Sequence, residues 1–433
     1  VAQSNGAWTV DLLDLSVDGN LQAMNENNRI QGLRADQVGD LTLDSREVLR
    51  LDSIDSDGQV RIGSRGLSVE NRLSAESLNL DAQNGSLTIN HSITANDIQL
   101  AGERVAQDAE VISGGALSIN AKDAIEQNAR LAAVADIQLD AGGELTMSRS
   151  ARTETRSGNI EYAAGDNLTI SYLDNPEGTI ALRSGRRIES ALEAQTTGVI
   201  AQRIELAAIE GIGAGQTIAL DTRELHATNN RGRIDLGNTG DVRIDRLANN
   251  DDIVFFNEGT VTLDNREGPV FDRSAEGAIE AGGVVNANYY VGTVRFTVAE
   301  GSLLGLGGIN VNKPDLVGRR GLFVVSGDIG SVARPLVMYF KDSLVLQGIR
   351  SWQPVWGFGQ IPETFENNSA IQFSNQELTS AGEQMVEVES LEDIDPAIFT
   401  AVRNYSFDEV SILMPPDQRY GNEEEDEERY SAY

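Results

Sequence analysis

Asp136-Ile137-Gln138-Leu139-Asp140-Ala141-Gly142-Gly143-Glu144-Leu145-Thr146-Met147 decides the fold. It holds two strands, Ile137-Gln138-Leu139 and Leu145-Thr146-Met147, each apolar–polar–apolar. A polar turn with two glycines separates them. Strict alternation is the mark of a strand with one face buried. Three residues are too few to bury anything alone. The stretch is therefore one piece of a larger stack.

Its relatives lie on both sides. Upstream are Leu41-Thr42-Leu43, Val60-Arg61-Ile62, Leu78-Asn79-Leu80, Ile98-Gln99-Leu100 and Leu117-Ser118-Ile119. Downstream are Ile160-Glu161-Tyr162, Ile180-Ala181-Leu182, Ile218-Ala219-Leu220, Val242-Arg243-Ile244 and Val261-Thr262-Leu263. Most steps are close to 20 residues, and the wide step after Ile180 holds an apolar strand near Val199-Ile200. A second series runs eight or nine residues behind, as in Leu49-Arg50-Leu51, Leu87-Thr88-Ile89 and Leu168-Thr169-Ile170. The linkers, such as Asp81-Ala82-Gln83-Asn84-Gly85, are rich in turn formers. A short, nearly constant period signals a solenoid. The predicted fold is all-β: a right-handed parallel β-helix of about 20 residues per rung, with a small mixed α/β cap at its C-terminal end. Residues 1–335 would form the rod, roughly 16 rungs and ~75–80 Å long. Residues 336–420 would form the cap and 421–433 an acidic tail.

Composition sets limits on function. Of 433 residues, 67 are Asp or Glu against 34 Lys or Arg, a net charge of -33. Such a surface repels phosphate and argues against nucleic acid as a partner. It suits basic partners, cations or a salt-rich medium. Cysteine is absent, which removes disulfides, thiol chemistry and iron–sulfur sites. No apolar run is long enough for a membrane span. The chain opens on Val1 without a signal peptide, as expected of a piece of a longer protein.

Beyond about residue 285 the repeat loosens into Asn288-Tyr289-Tyr290-Val291 and Val294-Arg295-Phe296-Thr297-Val298, then Gly301 to Ile309. Gly327-Asp328-Ile329-Gly330, followed by Pro335-Leu336-Val337, resembles a phrase of very large haemagglutinin-like exoproteins of Gram-negative bacteria. The upstream Asp-Ile-x-Leu-x-Ala-Gly units are similar to theirs too. Residues 1 to about 350 thus resemble filamentous haemagglutinins of the two-partner secretion route. The resemblance implies an adhesive rod, biofilm-matrix or surface-filament component, secreted or held at the bacterial cell surface. It implies an outer-membrane transporter as partner during export. It also implies contact with host or bacterial surface glycans or proteins, or self-association into filaments. The secretion domain with its Asn-Pro-Asn-Gly motif is missing here, so the resemblance is to a C-terminal β-helical portion.

Trp352, Trp356 and Phe358 stand in an aromatic loop punctuated by Pro354 and Pro362. They are the candidate binding residues, a platform for a glycan or an anchoring protein. Equally, they would plug the end of the rod, since a solenoid must cover its last rung. Short helices are expected at Ser380–Glu389 and from Asp395-Pro396, where Asp caps and Pro opens the first turn.

Chemistry finds little support. His91 and His226 are far apart in sequence and neither lies near a nucleophile motif. Some β-helices cleave polysaccharides with paired carboxylates, and Asp251 and Asp252, with Asp245 one turn earlier, are the best such group. Chance adjacency explains them equally well, and no enzyme activity is expected. Calcium is the one metal considered. The loop Asp52-Ser53-Ile54-Asp55-Ser56-Asp57-Gly58 has the oxygen donors, without an EF-hand or nonapeptide motif. Otherwise no cofactor is expected.

Overall fold

The structure, a computed structural model, describes residues 2–357 except 4–5, 17–18, 273, 276, 278–281, 307–311, 332–333, 335, 349–350 and 353–354. Every regular element among them is a β-strand. Every strand pairing with a given register is parallel; examples are Ile119 with Leu139 and Val294 with Gly321. The chain is a parallel β-solenoid with turns about 20 residues apart. It divides into two compact units, Val1–Gly237 and Asn238–Tyr433. The expected cap helices and acidic tail lie outside the described residues.

In the first unit one inward column runs Leu21, Leu41, Val60, Leu78, Ile98, Leu117, Ile137, Ile160, Ile180, Ile204, Leu225. A companion column two residues on includes Leu43, Ile62, Leu80, Leu100, Ile119, Leu139, Tyr162 and Leu182. All are buried. Each aliphatic side chain so enclosed contributes about 1.5–3 kcal/mol, and none would be enclosed without the turns above and below. The step between turns varies, from 18 residues (Val60 to Leu78) to 24 (Ile180 to Ile204). The corners absorb the difference. One reading from spacing is corrected. The strand in the wide step that stacks on Ile180-Ala181-Leu182 is Ile204-Glu205-Leu206, whereas Val199-Ile200 pairs with Leu173-Asp174, and Leu220 with Val199, in another column. Counting by 20 fails there because the step from Ile180 to Ile204 is 24 residues.

Polar groups secure the corners. An Asp or Asn side chain repeatedly accepts the backbone N–H that opens a strand one turn on. In the first unit Asp40 takes Gln59 (3.0 Å), Asp97 takes Ala116 (3.1 Å), Asp136 takes Asn159 (2.7 Å), and Asn159 takes Thr179 (3.0 Å). In the second, Asp241 takes Thr260 (2.7 Å) and Asp252 takes Thr293 (2.8 Å). In all six the residue receiving the cap follows a glycine: Gly58, Gly115, Gly158, Gly178, Gly259, Gly292. Close approach makes these glycines necessary. A Cβ on Gly58 or Gly115 would collide with the capping carboxylate, and one on Gly158 with the backbone of Ala135. Further along the coil, Gly165 stacks on Gly142 and Gly185 on Gly165, each too close to the preceding carbonyl to admit a methyl group.

Tyr162 is the one aromatic side chain in the first unit's aliphatic columns named above. Its hydroxyl donates to Gln127 Oε1 (2.9 Å) and lies 2.5 Å from Thr153 Oγ1, which accepts from Gln127 Nε2 (2.8 Å). Burial raises the hydroxyl's pKa well above its ordinary value, so it stays protonated. In the second unit the core changes character. Phe255, Phe296 and Phe323 form a column of rings with centroids 5.1 and 5.9 Å apart, and Phe340 meets Phe323 edge-on at 5.7 Å.

Two substitutions test this arrangement. Leu139→Asp buries an unpaired charge between Ile119 and Tyr162, and should cost roughly 4 kcal/mol or more. A thermal melt unchanged from wild type would show that Leu139 does not face inward. Gly165→Ala pushes successive turns apart and should cost about 1–3 kcal/mol despite the ordinary backbone angles there. Denaturant unfolding checks it, and a neutral result would contradict the close stacking.

Candidate functional site

The second unit departs from the simple coil at one corner. Stacked residues Val261 and Leu303 are 42 positions apart, and Leu247 and Val285 are 38 apart. The extra length leaves the coil after strand Val261–Leu263 and returns at strand Val285–Ala287. One turn later a second, shorter arm lies at the same corner, between strands Leu303–Gly305 and Leu316–Val325. Turn chemistry shapes both exits. Gly268 N–H closes onto Asn265 O (3.1 Å) ahead of Pro269, and Asn312-Lys313-Pro314 ends the second arm. The arms are tied together. Phe271 N–H donates to Asn312 O (2.8 Å), Asn265 Nδ2 to Lys313 O (3.1 Å), and Lys313 Nζ to Arg266 O (3.0 Å).

The first arm covers an outward column. Asn286, Val317 and Tyr339 are register partners, on the side of the strands that elsewhere meets water. Here Val317 and Val337 are fully buried and Tyr339 nearly so, with Phe271 and Tyr289 packed over them. Phe271 stacks on Tyr339 (4.9 Å, 19°) and meets Tyr289 edge-on at 5.7 Å. Tyr289 meets Tyr290 at 5.5 Å, and Lys341 Nζ lies 4.5 Å from the centre of the Tyr290 ring. The rim is exposed at Val270, Tyr290 and Val291. This is an aromatic ledge with a buried inner half and a solvated outer edge.

Asp315 lies beneath it. Strand alternation places its side chain on the side of Val317. Its N–H donates to Val337 O, its carbonyl accepts from Val285 N–H, and Oδ2 accepts from Val337 N–H, each at 2.8 Å. One residue thus joins three turns. Oδ1 has no hydrogen-bond partner, and the residue is fully buried. Burial pushes the carboxyl up to about 7, with repulsion from Asp264 adding to it. Asp264 goes the other way. Arg266 donates to it from Nε (2.8 Å) and Nη2 (2.7 Å), holding it below the usual carboxylate range, and Arg243 assists at 3.5 Å. Two carboxyls pushed apart are a signature of acid–base chemistry. Complete enclosure of Asp315 keeps it from any substrate in solution, so the pair is not read as catalytic.

Residues singled out from sequence fall elsewhere. Asp252 caps Thr293, and its carbonyl accepts from Asn249 Nδ2 (2.7 Å). Asp251 is exposed. Asp245 was read as lying one turn before them. It belongs to the same turn, because Val242 stacks on Val261 and Ile253 on Val294 in consecutive strands of one coil. The acidic stretch from Asp52 runs along strand Val48–Ser56, where alternation separates its oxygens. Ile54 faces the core and Ser56 Oγ turns in to Gly39 O (2.7 Å). Among the described residues no group of three or more His, Asp or Glu is placed to hold a metal ion. His91 sits at an exposed bend, whereas His226 lies on a strand beside Glu205. Trp352 pairs with Ile329 and Trp356 with Val337, so the two belong to different columns. Phe358 lies outside the described residues. No helix among the described residues is long and apolar enough to cross a membrane.

These features define a β-solenoid carrying inserted side arms. No family model, curated protein or solved structure matches the chain.

The aromatic ledge was not foreseen. Its signal was present in the loosened repeat and in Tyr289-Tyr290, but nothing local shows that Phe271 and Tyr339 meet. Phe271→Ala removes the ring that covers Tyr339 and should cost the arm about 1–3 kcal/mol of docking energy. Hydrogen exchange at residues 264–272 should speed up while the Phe255–Phe296 strands stay protected. Unchanged exchange in the arm would mean that the stacking does not hold it.

Proposed function

We propose that this chain is a structural and adhesive β-solenoid, a stiff segment of a bacterial surface or secreted protein that displays contact surfaces and performs no catalysis. One observation carries the reading: inward columns such as Leu21 to Leu225 stay in register turn after turn. A parallel ladder of this kind spreads load over many hydrogen bonds and repeats a similar outer face along its length. The outer face supports the reading. It is laced with side-chain contacts between turns, such as Asn79 with Gln99 (3.0 Å), Arg104 with Asp123 (2.7 Å) and Arg130 with Glu110 (2.6 Å). Pairs this exposed contribute little individually, and they keep an acidic surface ordered. The sequence resemblance to filamentous haemagglutinins favours export by a partner transporter and a place outside the cell. Its contacts would then be surface glycans, proteins or further copies of itself.

The test compares cells making the intact parent protein with cells carrying an in-frame deletion of this segment. Protease shaving of intact cells should release peptides of the chain, and the deletion should reduce attachment to surfaces or to other cells. Release of reducing ends from a polysaccharide panel by the purified chain would replace this reading with an enzymatic one. Detection only in the cytoplasm would also sink it.

A further inference from the structure

We propose that the first arm of the second unit is a cover released by pH: it stays docked while the Asp315 carboxyl is neutral, and it lifts from Val317, Val337 and Tyr339 when that carboxyl ionises. The inference goes beyond the adhesive reading and does not rest on it.

Geometry sets Asp315 where the arm is tied down. Residues 312 and 313 receive the arm, through Phe271 N–H to Asn312 O (2.8 Å) and Asn265 Nδ2 to Lys313 O (3.1 Å). Asp315 follows directly and fixes that stretch to the coil. Its N–H donates to Val337 O, Oδ2 accepts from Val337 N–H, and its carbonyl accepts from Val285 N–H, each at 2.8 Å. A shift of Asp315 therefore moves the arm's anchor points. The phenylalanine column of this unit is held by other strand pairs, Ile253–Glu258 with Thr293–Ala299 and Thr293–Ala299 with Leu316–Val325.

Ionisation supplies the shift. Asp315 is fully enclosed, and Oδ1 meets no donor. A neutral carboxyl tolerates that enclosure far better than a carboxylate does. The surrounding groups do not compensate. From the arm, Asp264 repels the carboxylate, Arg266 is held by Asp264 (2.7 Å), and Asp272 accepts from Ser274 (2.7 Å). From strand Val242–Asn249, Arg243 pairs with Asp264 and Arg246 donates to Gly283 O. Lys313 Nζ donates to Arg266 O (3.0 Å), and Tyr289 and Tyr339 pack on the Phe271 ring. None of them donates to Oδ1. An ionised Asp315 is relieved when water reaches it, and the arm lies in the way.

The direction follows from linkage. With the arm docked, burial holds the carboxyl at about 7, against an ordinary 3.8. Docking therefore takes up a proton at any pH between the two. The docked population is most favoured below the ordinary value, loses about tenfold per pH unit as pH rises towards 7, and levels off above it. Lifting the arm bares an apolar strip of Val317, Val337 and Tyr339, so the same titration uncovers a contact face.

The test measures hydrogen-exchange protection in the full chain from pH 5.5 to 8.5, corrected for the intrinsic rate at each pH. Protection at residues 264–272 should fall about thirtyfold between pH 5.5 and 7 and then level off. The Phe255 and Phe296 strands should stay protected throughout. Asp315→Asn mimics the neutral carboxyl and should keep the arm protected at pH 8.5. If that variant fails to fold, Asp264→Asn removes the repulsion and should move the midpoint to lower pH. Arm protection independent of pH in the wild-type chain overturns the proposal. So does a pH response that persists unchanged in Asp315→Asn, a midpoint unmoved in Asp264→Asn, or an equal loss of protection in the Phe255 and Phe296 strands.

Discussion

The structure depends on one constraint. Each short strand must meet its equivalents above and below in parallel and in register. A three-residue strand such as Leu145–Met147 is stable only because Ile125–Gln127 and Leu168–Thr169 supply its hydrogen-bond partners and the walls around its side chains. Burial and hydrogen bonding are therefore satisfied together, between turns and hardly at all within one. Register must hold to the residue, because a slip of one would turn every aliphatic side chain outward.

That constraint explains where variation is allowed. Strands keep their phase, and corners change length. A corner that lengthens must still deliver the next strand at the right height. Asp and Asn caps paired with glycines do this by seizing the first N–H of the following turn. Some of the aspartates thus have a structural use at the corners. The same freedom at corners admits the two arms of the second unit. They leave and return between strands without disturbing the columns on either side.

Where an arm lies back on the coil, the chemistry of the outer face is inverted. Val317 and Tyr339 occupy positions that would be solvated in the first unit, and they are buried by Phe271 and Tyr289. Asp315 is caught in the same change, which is why an aspartate at an outward position becomes a buried carboxyl with a raised pKa. The phenylalanine column of Phe255, Phe296 and Phe323 gives this unit a bulkier interior than the aliphatic columns of the first.

The sequence by itself determined the fold class, the inward residues and the approximate turn length. Those follow from alternation and from a period that repeats within the chain, and both are local patterns. Exact stacking partners were legible only where the period was regular. The stacking of Ile204 on Ile180 was missed because turn length is set at corners whose geometry leaves little trace in composition. The candidate site was hardly legible at all. Asp251 and Asp252 drew attention as neighbours in sequence, yet Asp252 serves as a corner cap. Phe271, Tyr289, Asp315 and Tyr339 come from four separate passes of the chain, and only the tertiary structure brings them together. The physical reason is that an arm's contacts are decided by which outward face it lands on, and that depends on the coil beneath it.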